Sequence, residues 1–205
     1  MKKNAILLIG PTGSGKTPLG DHIEKHGLNG IQFAHFDFGE QLRQAAGGQK
    51  NSGLSKDDIA LLKTILQTGA LLEKETFYLA EQIISHFNSS TSAQAIVLNG
   101  LPRHIEQARD MSPWFDIRFV IRLRCDARTV IERIQSNSGN DRTHRVDDEL
   151  TLVQKKLTIF ETRTAPLCEW FSSNHIPVFD VVIEKETSPA DILQLFEKIS
   201  LTLPF

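Results

Sequence analysis

The sequence is poor in cysteine, in aromatic residues and in net charge. Only two of its 205 residues are cysteines, Cys125 and Cys168, and their wide separation has no metal-type spacing. We therefore expect buried or incidental thiols in a reducing compartment rather than a disulfide framework or a zinc site. A formal net charge of −2 provides no general attraction to nucleic acid or to an anionic membrane. Basic residues gathered at one place would instead indicate a local anionic ligand.

Long hydrophobic runs are also missing. The chain starts with Met1-Lys2-Lys3-Asn4, and the apolar run that follows spans only Ala5–Ile9. This run is too short for a signal peptide or a membrane-spanning helix. With 40% hydrophobic and 23% charged residues, the composition is that of a soluble globular domain. We expect a cytoplasmic monomer with neither a membrane nor a nucleic acid as its partner.

Apolar β-like runs alternate with helical patterns along the chain. The predicted strands are Ala5–Ile9, Ile31–Phe36, Ala95–Leu98, Arg118–Leu123 and Pro177–Val182. The predicted helices are Lys16–His26, Ser55–Thr68, Lys74–Phe87, Asp126–Asn137, Asp148–Asn174 and Pro189–Leu201. Pro166 is expected to kink or divide the longest helix. This alternation predicts an α/β fold of three layers, with a five-stranded parallel sheet between helices.

Two segments interrupt the alternation. Residues 38–72 are predicted to be helical throughout, whereas the polar loop Ser136–His144 lacks periodicity. Both fall over the carboxyl edge of the predicted sheet, where open α/β folds bind ligands. We therefore predict one domain over residues 1–205, in which these segments are insertions near a binding site. The polar patch Asn88–Ser92 is predicted to be a surface loop.

The strongest motif follows the first predicted strand. Residues 10–17 match G-x-x-x-x-G-K-[ST] in full and open a predicted helix, as a phosphate-binding P-loop requires. Glycines let backbone N–H groups turn toward phosphate oxygens, and the helix N-terminus adds its positive dipole end. Lys16 is predicted to reach the β- and γ-phosphates of ATP, and the Thr17 hydroxyl to ligate Mg²⁺. The predicted ATP-binding residues of this loop are Gly10, Pro11, Thr12, Gly13, Ser14, Gly15, Lys16 and Thr17.

Further segments carry a resemblance to a known family. They read HFDFGEQLR at 35–43, NGLPR at 99–103 followed by Gln107, RVDD at 145–148 and TAPL at 164–167. In order and spacing they resemble adenylate kinase and its nucleoside monophosphate kinase relatives across nearly the whole chain. The loop 136–145 resembles the short lid of that family, and it lacks the cysteine cluster of the zinc-bearing type. The resemblance implies a monophosphate-binding insertion at 38–72 and a short lid at 136–148.

The resemblance also implies roles for individual residues. Arg43 and Arg103 would grip the acceptor phosphate, because a guanidinium fork suits bidentate contact with phosphate oxygens. Gln107 would read the acceptor base through its amide, and Arg133 would stack on the donor base. Arg145 would reach the transferring group when the lid closes. The implied catalytic set is Lys16, Arg103, Arg145 and Lys156, and the implied acceptor site comprises Phe38, Arg43, Leu72, Gly100, Arg103 and Gln107.

Several positions depart from the family pattern. Asn99 replaces an acidic residue that helps to hold hydrated Mg²⁺, so it would serve the metal only weakly and through water. Phe38 replaces a threonine that contacts the acceptor base, and Asn137 replaces a lid arginine. Lys156 replaces an arginine and loses the guanidinium fork. Asp37, at the end of the second predicted strand, is a nearby carboxylate that could substitute for the missing acid.

These features favour a nucleoside monophosphate kinase that uses ATP and Mg²⁺ and transfers the γ-phosphoryl group in line. AMP is the default acceptor, with CMP, UMP or a deoxynucleotide open. Phe38 and Asp37 leave open a P-loop kinase for a non-nucleotide metabolite. Asn99, Asn137 and Lys156 leave open a nucleotide-binding protein with little turnover, since each lost contact would raise the barrier by about 2–4 kcal/mol.

Overall fold

A single parallel sheet forms the centre of the molecule. The computed structural model describes residues 2–48, 53–139, 141 and 150–199. In this part of the chain, five strands lie in the order β2-β3-β1-β4-β5, and every neighbouring pair is parallel. The strands are β1 (Lys3–Ile9), β2 (Phe33–Asp37), β3 (Ala95–Asn99), β4 (Phe115–Arg124) and β5 (Val178–Val182). The predicted five-stranded parallel sheet is confirmed.

Helices cover both faces of this sheet. The α-helices are α1 (Lys16–His26), α2 (Phe38–Ala46), α3 (Lys56–Thr68), α4 (Tyr78–Ser90), α5 (Ile105–Asp110), α6 (Ala127–Ser136), α7 (Leu150–Ile159), α8 (Pro166–Ser173) and α9 (Pro189–Ile199). Leu19 of α1 and Phe196 of α9 belong to the core on one face, whereas Leu79 of α4 and Phe171 of α8 belong to the core on the other. The three-layer α/β architecture is confirmed. None of the described helices is both long and apolar enough to cross a membrane.

The apolar character of β1 follows from its position. Residues 5–9 of this central strand are all buried. A parallel strand with helices on both faces has no solvent side, so its sequence is continuously apolar instead of alternating. The same run that was too short for a membrane span is therefore the middle of the sheet.

Local sequence signals set several helix ends. The Ser55 hydroxyl accepts a hydrogen bond from the Asp58 backbone N–H at 3.1 Å, and Asp58 Oδ2 accepts one from the Ser55 N–H at 2.9 Å. This reciprocal capping box starts α3, and Gly69 ends the helix in the left-handed conformation with φ 65°. Asp126 caps α6 by accepting a hydrogen bond from the Thr129 N–H at 2.7 Å.

Several boundaries differ from the prediction. The segment 38–72 is not helical throughout, since α2 ends at Ala46 and α3 spans Lys56–Thr68. At two other boundaries, backbone pairing overrides the local pattern. The strand β2 begins at Phe33, since Ile31 forms an isolated bridge with Leu28 instead. The helix α4 continues to Ser90, so the first part of the patch predicted as a loop is helical.

The region around Pro166 also differs in detail. A π-helical turn at Phe160–Thr164 separates α7 from α8, with the Ala165 N–H donating to the Phe160 carbonyl at 2.8 Å. Proline has no N–H and its ring crowds the carbonyl one turn earlier, which accounts for a widened turn at this point. The expected division of the long helix is confirmed. The short α5 was not predicted.

His35 occupies the layer between β2 and α1. Its side chain is 4% exposed, and its Nδ1 lies 2.8 Å from Asp21 Oδ1. The Glu24 carboxylate accepts a hydrogen bond from the His35 backbone N–H at 3.0 Å. Gly20 provides the space for the ring, because a Cβ at that position would lie 2.2 Å from His35 Nε2. The absence of a side chain at position 20 is thus a packing requirement.

We expect Gly20→Ala to destabilise the protein, although glycine to alanine in a helix is ordinarily favourable. The new methyl group would overlap the His35 ring, and overpacking of this kind lowers the free energy of unfolding by about 1–3 kcal/mol. Urea unfolding followed by circular dichroism measures the change. The double variant Gly20→Ala/His35→Ala should lose less stability than the two single losses added together, and strict additivity would contradict this packing account.

Candidate active site

The P-loop forms the turn between β1 and α1. Gly15 precedes α1 with φ 94°, and Gly13 has φ 78°, both in the left-handed region that glycine enters freely. The Ser14 hydroxyl donates to the Pro11 carbonyl at 2.9 Å and tightens the loop. Lys16 Nζ donates to the carbonyls of Gly10 and Pro11, each at 2.7 Å. The ammonium group thereby lies at the rim of the loop, as a phosphate-binding lysine should.

The residue that follows this lysine is tied to the ends of two neighbouring strands. The Thr17 hydroxyl donates to Asp37 Oδ2 at 2.6 Å, and Asn99 Nδ2 donates to the same carboxylate oxygen at 2.8 Å. Asn99 Nδ2 also lies 3.1 Å from Thr17 Oγ1. Asp37 and Asn99 are register partners at the carboxyl ends of β2 and β3, which explains why their side chains meet. The hydroxyl and carboxylate oxygens suit a hard cation such as Mg²⁺.

One cavity of about 210 Å³ begins at the P-loop and continues beneath α2 and α3. Its walls include the predicted cations Lys16, Arg43, Arg103 and Lys156. They also include Phe38, Leu72, Gly100 and Gln107, together with Thr17, Asp37 and Asn99. Residues far apart in sequence therefore face one space. Of the predicted P-loop residues, Pro11 and Ser14 do not line this cavity, and Ser14 lines a second cavity instead.

Arg103 is the most unusual cation in this cavity. It is partly buried, and burial lowers the pKa of its guanidinium to about 10, so that it remains protonated at neutral pH. Among the described residues, no carboxylate forms an ion pair that offsets this burial. The chain around it is held in place, since the Arg103 carbonyl accepts from the Thr164 hydroxyl at 2.9 Å. A desolvated cation at the wall of a cavity is suited to an anionic ligand.

Arg43 lies in α2 on another wall. Its Nη2 contacts Glu40 Oε2 at 3.1 Å, three residues earlier on the same helix, and both side chains are well exposed. An exposed ion pair of this type contributes little to stability. A phosphate could therefore replace the Glu40 carboxylate as the partner of Arg43.

The contacts of Gln107 differ from those expected of a residue that reads a base. Its Oε1 accepts from the Arg103 backbone N–H at 2.7 Å, and its Nε2 donates to the Leu72 carbonyl at 2.7 Å. The side chain is only 2% exposed. Gln107 thus connects the backbone at the end of the helical insertion to that of Arg103, and one amide hydrogen and one lone pair remain for a ligand.

Phe38 lies between the cavity and the hydrophobic core. It is the first residue of α2, is 5% exposed, and packs near Phe36 with ring centroids 6.0 Å apart. Although it lines the cavity, its ring belongs to the hydrophobic core, so most of its surface is not available for stacking on a base. A phenylalanine side chain also cannot donate the hydrogen bond that a threonine would donate at this position.

Arg133 lies between the P-loop and the loop after β5. Its Nε donates to the Gly13 carbonyl at 3.2 Å, and its Nη1 donates to the carbonyls of Glu184 and Lys185, each at 2.7 Å. The residue is 5% exposed and forms part of the wall of a second cavity of about 110 Å³. The stacking of Arg133 on a donor base stays a prediction. Its contacts show a guanidinium that joins two loops, which sequence reasoning did not anticipate.

Much of the predicted lid, including Arg145, Arg142, Asp147 and Asp148, lies outside the described residues. The described residue Asn137 accounts for one departure from the family pattern. Asn137 ends α6 with φ 47°, a left-handed conformation that asparagine adopts more readily than most other side chains. The asparagine at this position thus has a structural role as a helix cap.

Cys125 and Cys168 are free thiols, the first partly buried and the second buried. Burial raises the pKa of the Cys125 thiol to about 11 and also raises the pKa of Cys168. Both thiols are therefore protonated at neutral pH, which makes them poor nucleophiles and metal ligands. Among the described residues, no group of three or more histidine, cysteine, aspartate or glutamate side chains could hold a metal ion.

The contribution of His35 and Asp21 was missed by sequence reasoning. His35 Nε2 lies 3.5 Å from Asn99 Nδ2, so this pair extends from the cavity to the surface of α1. A histidine in the middle of a buried apolar strand was the signal, since a buried polar side chain requires a hydrogen-bond partner. Only the tertiary packing identifies that partner.

The fold and the lining of the cavity define a P-loop protein built to bind phosphorylated ligands. The profile of a family described as AAA domain matches residues 9–152, and the chain belongs to this family. It is also 25% identical to the adenylate kinase of Synechococcus sp. (strain WH7803) over 177 residues, which cover 83% of this chain and 86% of that protein. It is 26% identical to the adenylate kinases of Brucella ovis (strain ATCC 25840 / 63/290 / NCTC 10512) and Brucella abortus (strain S19). In both cases the match spans 178 residues and covers 82% of this chain and 84% of the other protein. The resemblance to the nucleoside monophosphate kinase family is confirmed.

We expect Arg133→Lys to lower the free energy of unfolding by about 1–3 kcal/mol, because lysine cannot satisfy the carbonyls of both loops. Urea unfolding measures this change, and titration with ATP should show weaker binding. Arg128→Lys on the same helix is the matched control, since that side chain is 89% exposed and pairs with Glu132 at the surface. The control should change stability by less than about 0.5 kcal/mol. Equal effects of the two substitutions would contradict the role of Arg133 as a link between loops.

Proposed function

We propose that this protein is a nucleoside monophosphate kinase that transfers the γ-phosphoryl group of ATP to AMP. The observation that carries the proposal is the cavity itself, in which Lys16, Arg43, Arg103 and Lys156 face one space of about 210 Å³. Their concentration at one place in a chain of net charge −2 indicates a strongly anionic ligand set. Two phosphorylated substrates meeting head to head would supply that charge.

The donor end of the reaction is assigned to the P-loop. Its backbone N–H groups and the N-terminus of α1 would hold the phosphates of ATP, with Lys16 leaving its contacts to Gly10 and Pro11 for the β- and γ-phosphate oxygens. The Thr17 hydroxyl would hold Mg²⁺, which when bound neutralises charge on the phosphates. The second cavity, with Arg133 in its wall, is the proposed site of the donor base.

The acceptor end is assigned to the opposite side of the cavity. Arg103 would bind the acceptor phosphate as a preorganised cation, and Arg43 would exchange its contact with Glu40 for phosphate oxygens. Lys156 would lie between the two ends. The acceptor's own phosphate oxygen attacks, so that no protein nucleophile is required. Catalysis then depends on positioning, charge neutralisation and exclusion of water.

A non-nucleotide acceptor is the second candidate, and the contacts of Gln107 and Phe38 favour it. Gln107 uses one amide hydrogen and one lone pair in hydrogen bonds to the backbone, and the ring of Phe38 lies in the core. An acceptor without a base would need neither side chain.

A coupled assay with AMP, CMP, UMP and their deoxy forms separates the two candidates, because rapid turnover with one of these nucleotides supports the first candidate. Turnover that appears only with phosphorylated or hydroxylated metabolites supports the second and overturns the first.

We expect Lys16→Ala to lower kcat by about 100-fold or more, because a positive donor at the transferring group is lost. Steady-state turnover with the best acceptor of the panel measures this effect, and thermal unfolding checks that the fold is intact. Lys25→Ala is the control, since Lys25 lies exposed in the last turn of the same helix. Full activity of Lys16→Ala would rule out the assigned role of the P-loop.

We expect Arg103→Ala to raise KM for the acceptor and to lower kcat, each by about tenfold or more, with little change in ATP affinity. The reason is that its guanidinium would contact only the acceptor and the transferring group. Initial rates at varied acceptor and varied ATP separate these constants. A variant that loses ATP affinity alone would place Arg103 at the wrong end of the cavity.

A further inference from the structure

The positions of the carboxylate and the amide beside Thr17 carry an inference about the metal site. In this chain the charge lies at the end of β2, on Asp37, and the end of β3 bears the neutral Asn99. Asp37 Oδ2 lies 2.6 Å and Asn99 Nδ2 lies 3.1 Å from Thr17 Oγ1, and these two side chains are 2.8 Å apart. Either strand end is therefore near enough to act on a cation bound at the P-loop hydroxyl.

The surroundings of Asn99 determine which face of its amide points toward Thr17. His35 Nδ1 lies 2.8 Å from the Asp21 carboxylate, so in the neutral ring the hydrogen is on Nδ1 and Nε2 is an acceptor. Asn99 Nδ2 then has acceptors on two sides, His35 Nε2 at 3.5 Å and Asp37 Oδ2 at 2.8 Å. An amide nitrogen does not ligate a cation. The network thus directs the donor side of Asn99 toward Asp37 and Thr17.

Asp37 has the opposite character. Its Oδ1 accepts from the Glu40 N–H at 3.0 Å and caps α2, while its Oδ2 faces Thr17 at the edge of the cavity. The cap fixes the carboxylate in one orientation, and Asn99 supplies a second anchor. Carboxylate oxygen is a preferred ligand of Mg²⁺, either directly or through a bound water molecule.

We propose that Asp37, and not Asn99, is the carboxylate that holds the Mg²⁺ of the bound nucleoside triphosphate, with Asn99 as a neutral positioning residue fixed by His35 and Asp21. This inference rests on the proposed function only in assuming that the P-loop binds a magnesium–nucleotide complex. It replaces the expectation that Asn99 itself serves the metal through water. The carboxylate that the family pattern has at the end of β3 is thus replaced by one at the end of the neighbouring strand β2.

The test measures the affinity for a non-hydrolysable ATP analogue by calorimetry, once with Mg²⁺ in excess and once with EDTA, and with no acceptor present. In Asp37→Asn we expect the ratio of the two affinities to fall by about 10- to 100-fold. Asparagine is nearly isosteric with aspartate and caps a helix equally well. The change removes the charge together with the acceptor that Thr17 and Asn99 share, and the double variant described next restores a carboxylate beside an amide. Affinity in EDTA should be unchanged or higher.

The double variant Asp37→Asn/Asn99→Asp returns the charge to the end of β3 and keeps one carboxylate paired with one amide. It should recover most of the Mg²⁺ dependence that the single variant loses. Glu40→Gln is the matched control, because it removes a carboxylate from the same helix that contacts Arg43 instead of Thr17. The control should keep the ratio of the parent protein. Should Asp37→Asn fail to fold, Asp37→Ser retains a helix cap and takes its place.

Several outcomes would overturn the proposal. One is a ratio in Asp37→Asn equal to that of the parent protein, and another is a double variant no better than the single one. A parent protein that binds the analogue equally with Mg²⁺ and with EDTA would also overturn it. Because no acceptor is present, these results are independent of the monophosphate panel. A chain that phosphorylates none of the tested acceptors can still show the expected pattern.

Discussion

The parallel pairing of β1 with β3 and of β3 with β2 is the constraint on which the site depends. Parallel strands all end at the same edge of the sheet, and the register places Leu8 beside Asn99 and Asn99 beside Asp37. The P-loop leaves β1 immediately beyond this point. Backbone hydrogen bonds therefore bring the phosphate cradle, a carboxylate and an amide within contact distance, before any side chain has to select its partner.

Electrostatics then distinguishes this edge from the rest of the surface. Arg103 is held in a partly buried position where its pKa falls to about 10, and its backbone is fixed by Gln107 and Thr164. Desolvation is unfavourable for a charged guanidinium, which is why its pKa falls. A cation on a backbone held in this way favours the binding of an anion, because its position is already restricted.

Three residues that depart from the family pattern have clear structural surroundings. Asn137 adopts the left-handed conformation that ends α6, and Asn99 donates toward the carboxylate of Asp37. Phe38 fills the core below the cavity. Each of these residues is thus fixed by its local surroundings in the fold.

The sequence by itself determined the P-loop, the parallel sheet and the set of cations, because these depend on short motifs and on local periodicity. Arg43, Arg103 and Lys156 do line one cavity, as their motifs predicted. Only the tertiary structure decided where the amide of Gln107 points and what Arg133 joins. The reason is that a hydrogen bond depends on the position of a partner that can be far along the chain, and the sequence does not specify that distance. For the same reason, the sequence did not show that the buried side chain of His35 contacts Asp21, because that contact depends on the packing of α1 against β2.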